Sequence, residues 1–443
     1  MSILGEDDFR NLVETGLAGP PRSDGTIRLH RSRINGSSDE ENADLPLTPV
    51  SPTSSDLHFI TIPDTLISSA TLIYLGFTKE RAEFIWNQWT NWPYPRETDP
   101  ENEDNPRGNM LYIEVILLHF GSYGSDDEYD TYSENNEEWT YCMDRYGIND
   151  ELKATMMDPR FNSIRLTNSC LYWLRDTIEE RYFGLEDIQA ASYERQMAIQ
   201  RPQEHLGGSQ YEQRWTIQER AGKSLHTSTS RFAMEAGHTQ PGHIKLFKGI
   251  SQRRLKDIVN PNDGSIDTSA LMSYPQTDFL SRTGGGYFAV DRDMAVRYAN
   301  WAKHRVKGGS AAILQITIPN SAIESLPADQ VYKIYWDPNG IDKTWEKVIY
   351  YSRNGKLGPK DLRRLLNKAT LIIGTIATGP NHHFGRMRSY EEIRERDVMK
   401  DQEGRPAIQY VWHLDGEFLL EQFCCESLQV FPVTVAELSA FNG

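Results

Sequence analysis

Cysteines, long apolar runs and an excess of positive charge are scarce or absent in this sequence. The 443 residues include only four cysteines (Cys142, Cys170, Cys424 and Cys425), and no two of them have the C-x-x-C spacing of a zinc knuckle. Neither a disulfide framework nor a metal site is therefore predicted, and the thiols are expected to be reduced. No segment approaches the run of about 18 apolar residues that a membrane helix needs.

The first residues, MSILGEDDFR, lack the basic and then apolar pattern of a signal peptide. These features predict an intracellular protein, cytoplasmic or nuclear, with no membrane partner. Acidic residues outnumber basic ones by 63 to 47, which gives a formal net charge of -16. Since retention of duplex nucleic acid depends on Lys and Arg that neutralise phosphates, we expect no binding to duplex nucleic acid.

Hydrophobic residues make up 38% of the chain and aromatic residues 11%, so folded cores are expected. The length predicts two domains plus connecting sequence. Residues 1–57 are rich in Ser, Asp, Pro and Gly with few aromatics, which predicts a disordered tail. Residues 58–200 show helical spacing of apolar residues and predict an all-helical domain, and the Gly, Ser, Thr and Gln of residues 201–242 predict a linker.

Local signals mark individual elements. In the helical domain, Gly76 is expected to end one helix, Thr78 to cap the next, and Gly184 to separate two further helices. In residues 243–443, an alternating strand is predicted over Ala311–Pro319 and a final strand over about 418–431. We also expect helices after Asp291 and Pro359 and an apolar strand over residues 371–377. Strands outnumber helices here, so the predicted fold class is α+β.

Three segments of this region stand out in order. The first is KLFKGIS at residues 245–251, and the second is TDFLSRTGGGYFAVDRDMAVRYANWA at residues 277–302. The third is LLEQFCCESLQVFPV at residues 419–433. Together they resemble the three strands that form the NAD site of the ADP-ribosyltransferase superfamily, in its poly(ADP-ribose) polymerase-like form. The resemblance covers about residues 241–443 and does not extend to the first 240 residues.

The resemblance implies a split β-sheet domain that uses NAD as its substrate, either as a mono-ADP-ribosyltransferase with an unknown acceptor, a protein, or as an NAD glycohydrolase. It implies that Glu421 is the catalytic carboxylate, which would stabilise the oxocarbenium-like state formed when the nicotinamide bond breaks. It also implies that Lys248, Gly249, Tyr287 and Phe288 bind NAD. In these roles Gly249 would let the backbone approach the carboxamide and Tyr287 would stack on the nicotinamide ring.

Several alternatives stay open. Lys248 stands where the resemblance expects Arg or His, and it lacks the planar fork of the one and the acceptor nitrogen of the other. A domain that keeps the cleft without turnover, or a protein-interaction role of the helical domain, is therefore also compatible with the sequence. Tyr287 and Phe288 could be core aromatics. Other carboxylates compete with Glu421 for the acidic role: Asp415, Glu417 and Glu426.

Overall fold

The chain is described here by a computed structural model. The residues that the structure describes are 2–34, 59–93, 96, 109–121, 128–131, 133–200, 241–260, 263–273, 277–401, 403–413, 416–433 and 437. They form a mainly helical N-terminal part, up to residue 200, and a C-terminal part built on one large sheet. The fold is mixed α and β, with strands that are both antiparallel and parallel.

Helices and one small sheet make up the N-terminal part. Its helices are α1 (Glu6–Glu14), α2 (Ser69–Leu75), α3 (Lys79–Thr90), α4 (Tyr112–Leu118), α5 (Asn136–Arg145), α6 (Asp150–Met156), α7 (Asn162–Arg165) and α8 (Cys170–Gln200). The predicted signals at the second and third helices are confirmed. Gly76 ends α2 with a φ of 122°, and the Thr78 side chain accepts a hydrogen bond from the Arg81 backbone N–H at the start of α3.

The first residues of the chain are part of this core. Strand β1 (Thr26–His30) pairs antiparallel with β2 (Phe59–Pro63), and α1 packs on α8. Asp8 of α1 is buried, where it accepts hydrogen bonds from Arg195 at 2.9 Å and from Ser192 at 2.5 Å. The predicted disordered tail is therefore wrong for residues 2–34, while residues 35–57 lie outside the described part. The prediction of an all-helical domain is wrong as well, because β2 falls inside it.

Helix α8 is a single helix of 31 residues that passes through Gly184. The prediction that this glycine separates two helices is wrong. A glycine inside a helix costs only about 1 kcal/mol relative to alanine, and the buried residues on both sides of it, such as Ile178 and Ile188, stabilise the continuous helix. Of the predicted linker, residues 201–240 lie outside the described part of the chain.

The large sheet has the strand order β10-β6-β3-β5-β9-β8-β7, and the short β4 pairs with β5. The strands are β3 (His243–Ser251), β4 (Met272–Ser273), β5 (Gly285–Ala289), β6 (Ala311–Pro319), β7 (Val331–Ile334), β8 (Leu371–Thr375), β9 (Ile408–His413) and β10 (Gln429–Pro432). Neighbours are antiparallel except for β7 and β8, which are parallel.

Helices cover both faces of this sheet. They are α9 (Gln252–Ile258), α10 (Arg292–Arg305), α11 (Asn320–Glu324), α12 (Thr344–Arg353), α13 (Lys360–Lys368), α14 (Asn381–Arg386) and α15 (Glu417–Ser427). Leu246, Phe288 and Trp412 lie on one face, which we call the α15 face, in a cluster with Leu420 and Phe423 of that helix. We call the opposite face the α12 face. It packs against α12 and α14, and its part formed by β3 and β6 packs against α10.

Buried ion pairs join the two parts. Glu180 of α8 accepts hydrogen bonds from Ser251 at 2.8 Å and from Arg254 at 2.8 Å. One turn earlier, Asp176 pairs with Arg254 at 2.5 Å and with Arg305 at 2.6 Å. These carboxylates have lowered pKa values because the arginines outweigh the effect of burial, so both stay charged at neutral pH. The network fixes the sheet part against α8.

Candidate functional site

Lys248 lies on the α15 face of β3, between the buried residues Leu246 and Ile250. Its Nζ donates a hydrogen bond to the backbone carbonyl of Tyr287 at 3.3 Å and lies 5.9 Å from the centre of the Phe288 ring. Burial, together with the nearby Arg254, lowers the pKa of Lys248 to about 8. The structure thus brings Lys248 next to β5, where its amine contacts backbone and core.

The backbones of the two strands that carry these residues pair at one position only. β3 and β5 pair solely at Phe247 and Ala289, whereas β5 and β9 pair over the whole length of β5, from Gly285 to Ala289. The large sheet therefore opens between β3 and β5. This opening is where the sequence predicts that NAD binds.

Gly249 has a structural role in β3. A Cβ atom at this position would lie 1.9 Å from the carbonyl oxygen of Ala295 and 2.7 Å from the backbone nitrogen of Ala299, both in α10. The missing side chain therefore lets α10 pack directly on the strand. Helix backbone occupies the space on the side-chain side of Gly249, and an approach of its backbone to NAD stays a prediction.

Tyr287 and Phe288 point to opposite faces of β5. Phe288 is 2% exposed in the core of the α15 face. Tyr287 packs on the α12 face, where its hydroxyl donates a hydrogen bond to Thr277 Oγ1 at 2.5 Å. Burial raises the pKa of the Tyr287 hydroxyl above its ordinary value. The two aromatic side chains lie on opposite faces of β5, each packed against a different core, so they do not line one surface.

Glu421 lies in helix α15, and the prediction that it opens a strand is wrong. Leu420, Phe423 and Cys424 form the buried side of α15, while Glu421 is exposed. Their spacing of three and four residues is helical, whereas the predicted strand depends on the alternation of Phe423, Cys425 and Ser427. Only residues 429–432 of the predicted final strand form one.

The position of α15 also separates Glu421 from Tyr287. A Cβ atom on Gly286 would lie 2.6 Å from Leu420 Cδ2, so α15 covers β5 on the face opposite the Tyr287 side chain. Of the competing carboxylates, Glu417 and Glu426 lie in α15 as well, and Asp415 lies outside the described residues.

Sequence reasoning missed a polar cluster on the α12 face beside Tyr287. The Asp278 carboxylate is 5% exposed and accepts hydrogen bonds from the Arg353 guanidinium at 2.7 and 2.8 Å. Its second oxygen accepts from the Gln409 side chain at 2.6 Å and from the Ala377 backbone N–H at 3.0 Å. Hydrogen bonds to both oxygens thus connect the residues that precede β5 to α12, to the residues that follow β8 and to β9.

Gln409 belongs to β9, the strand that lies directly beside β5, and its register partner there is Ala289. A signal for this strand was present in the sequence, because IQYVWH at residues 408–413 has strand-forming residues throughout. The late strand next to Tyr287 therefore begins with an isoleucine and a glutamine. It does not begin with an acid.

Of the surface pockets formed by the described residues, two with defined linings include none of the five predicted site residues. One, of about 340 Å³, lies on the helical part and is lined by Thr78, Glu80, Arg81, Phe84 and Gly147. The other, of about 450 Å³, lies where the two parts meet and is lined by Ser163, Arg297, Thr378, Glu395, Arg396, Val398, Met399 and Lys400. Among the described residues, no cluster of His, Cys, Asp and Glu could hold a metal ion.

Comparisons of the chain with models of protein families, with curated proteins and with solved structures find no significant match. None of the helices in the described ranges combines the length and the apolar character required to cross a membrane.

Proposed function

We propose that residues 243–443 form an ADP-ribosyltransferase-like domain that has lost the ability to cleave NAD, and that the chain acts by binding. The opening of the sheet between β3 and β5 supports the split-sheet domain that this proposal assumes. The residues in the three matching segments support the loss of turnover, since Gly249 and Phe288 serve packing and Glu421 is exposed on a helix.

The observation that carries the proposal is the amide of Gln409 on the strand beside Tyr287. Cleavage of the nicotinamide bond develops positive charge on the ribose, which a fixed carboxylate stabilises far better than a neutral amide. Asp278 is a carboxylate close by, but its oxygens are engaged by Arg353, Ala377 and Gln409. Glu421 is exposed on a helix that covers the opposite face of β5.

Lys248 supports the same conclusion. Its amine is bound to a backbone carbonyl and sits against the Phe288 ring, so it does not project into an open cleft. A lysine there also cannot accept a hydrogen bond from a ribose hydroxyl, because an ammonium group has donors only.

The test is release of nicotinamide from NAD by the full chain, alongside the variants Glu421→Gln and Tyr287→Phe. We expect no release above the uncatalysed rate from any of the three proteins, and the same melting temperature for wild type and Glu421→Gln. Release by wild type that the Glu421→Gln change abolishes would refute the proposal. Release by wild type that persists in Glu421→Gln would also refute it, and would show that turnover does not require the Glu421 carboxylate.

A further inference from the structure

The pocket where the two parts meet combines side chains from three separate segments. Ser163 comes from α7 of the N-terminal part, and Arg297 comes from the middle of α10. The remaining lining residues lie between β8 and β9: Thr378, Glu395, Arg396, Val398, Met399 and Lys400. We call this pocket the junction groove. It is a shallow groove of about 450 Å³ that is open to solvent.

Arg297 is the central cation of the junction groove. It is half-buried, and its guanidinium donates to the Lys400 backbone carbonyl at 3.2 Å. Within the described ranges it has no carboxylate partner. The contact with the carbonyl holds the arginine at the groove and leaves the other guanidinium N–H groups available to a ligand.

Two more cations line the groove. Arg396 is exposed, and its nearest described carboxylate, that of Asp397, is 3.9 Å away and already accepts hydrogen bonds from His383 and from the Arg394 backbone. The Lys400 amine pairs with Glu395 at 2.5 Å. The lining side chains thus carry three positive charges and one negative charge, and Asp397 beside Arg396 adds a second negative charge, which leaves a local excess of one positive charge in a chain whose net charge is -16.

Neutral groups complete the groove. The side-chain hydroxyls of Ser163 and Thr378 lie on the lining and make no hydrogen bond to another described residue. Val398 and Met399 also line the groove, and they are apolar and almost fully buried, at 4% and 3% exposed. The groove therefore offers fork-shaped donors, two hydroxyls and an apolar surface side by side.

We infer that the junction groove binds a small organic molecule that carries a phosphate group. Guanidinium groups match the geometry of phosphate oxygens, and hydrogen bonds between ionised partners are the strongest of their kind. A phosphate monoester carries close to two negative charges at neutral pH and three acceptor oxygens, which suit the guanidinium of Arg297 that no described carboxylate pairs with. Val398 and Met399 would contact the organic portion of the ligand. This inference rests on the proposed function in that it assumes that the chain acts by binding.

The probes are inorganic phosphate and phenyl phosphate, titrated into the full chain by calorimetry in a low-salt buffer without phosphate. We expect saturable binding of both, tighter for phenyl phosphate. Arg297→Gln should weaken binding roughly tenfold or more, because it removes a charged hydrogen-bond donor, and Arg297→Lys should give an intermediate loss. Arg364→Gln removes one positive charge from an exposed position of α13 and is the matched control, with unchanged affinity expected.

The same titrations can overturn the inference. Absence of saturable binding, or binding that Arg297→Gln and Arg364→Gln leave equally unchanged, would show that the groove holds no phosphate ligand. Equal affinity for phosphate and phenyl phosphate would overturn the assignment of an organic ligand to the groove. Melting curves of each variant establish that a lost affinity is not a lost fold. Nicotinamide release is measured separately, so failure of the proposed function and failure of this inference give different results.

Discussion

Substitution of Gly249 by alanine tests directly whether this residue serves packing or ligand binding. The added Cβ atom would lie 1.9 Å from the Ala295 carbonyl oxygen, and contacts below 3.0 Å are essentially never seen for real Cβ atoms. Helix α10 would therefore have to move away from β3 by about 1 Å. The obstacles are helix backbone atoms, which cannot rotate aside as the end of a side chain can.

The expected cost follows from what α10 buries. Ala295, Val296 and Ala299 pack with Phe247 and Ile313 in one cluster, and a shift of the helix loosens all of these contacts. Overpacking of a core typically costs about 1–3 kcal/mol, and we expect Gly249→Ala to lie at the upper end, at about 3 kcal/mol.

Gly184→Ala is the matched control, because a Cβ atom there would meet nothing within 4 Å. This glycine lies inside α8, so alanine should stabilise the protein by about 0.5–1 kcal/mol. The assay is urea denaturation followed by circular dichroism, with NAD affinity measured on the same samples. The packing argument would be refuted if Gly249→Ala kept the wild-type midpoint but lost NAD affinity.

Three further predictions concern buried polar groups. Arg353→Met should destabilise the fold by about 3 kcal/mol in the same denaturation assay, because it leaves the buried Asp278 carboxylate without its cation; a change below about 1 kcal/mol would contradict this. Since burial lowers the pKa of Lys248 to about 8, the charged amine destabilises the fold at neutral pH, and this penalty disappears as the pH rises from 8 towards 10.5. Lys248→Met should thus be more stable than wild type at pH 7, by a margin that shrinks over this range; a constant margin in denaturation curves would show that the amine is not buried. A thiol reagent should label only the exposed Cys425 in the native protein and all four cysteines in denaturant, since the other three are buried; rapid native labelling of a second thiol would contradict that burial.

Helices and strands whose formation depends on residues close together along the chain were predictable from the sequence. The strand at Ala311–Pro319 has the predicted bounds, and helices begin directly after Asp291 and Pro359 as expected. In these cases the deciding interactions, such as the alternation of apolar residues or the fixed φ of proline, lie within a few residues of each other.

The candidate site could be predicted only in part. Lys248 lies close to Tyr287 and Phe288, which the resemblance grouped with it, and their binding of NAD stays a prediction. The sequence could not show that Gln409, more than a hundred residues further on, begins the strand beside Tyr287. Which strands become neighbours depends on burial over the whole domain, and a short stretch of the sequence does not contain that information.

The sequence by itself determined the helical signals around Gly76 and Thr78, the reduced state expected of four scattered cysteines and the excess of negative charge. Tertiary structure alone decided that residues 2–34 join the core, that Gly249 makes room for α10 and that Glu421 faces solvent from a helix. The physical reason is the same in each case. Caps and composition act over short distances along the chain, whereas the role of a buried or exposed side chain depends on which distant segment packs against it.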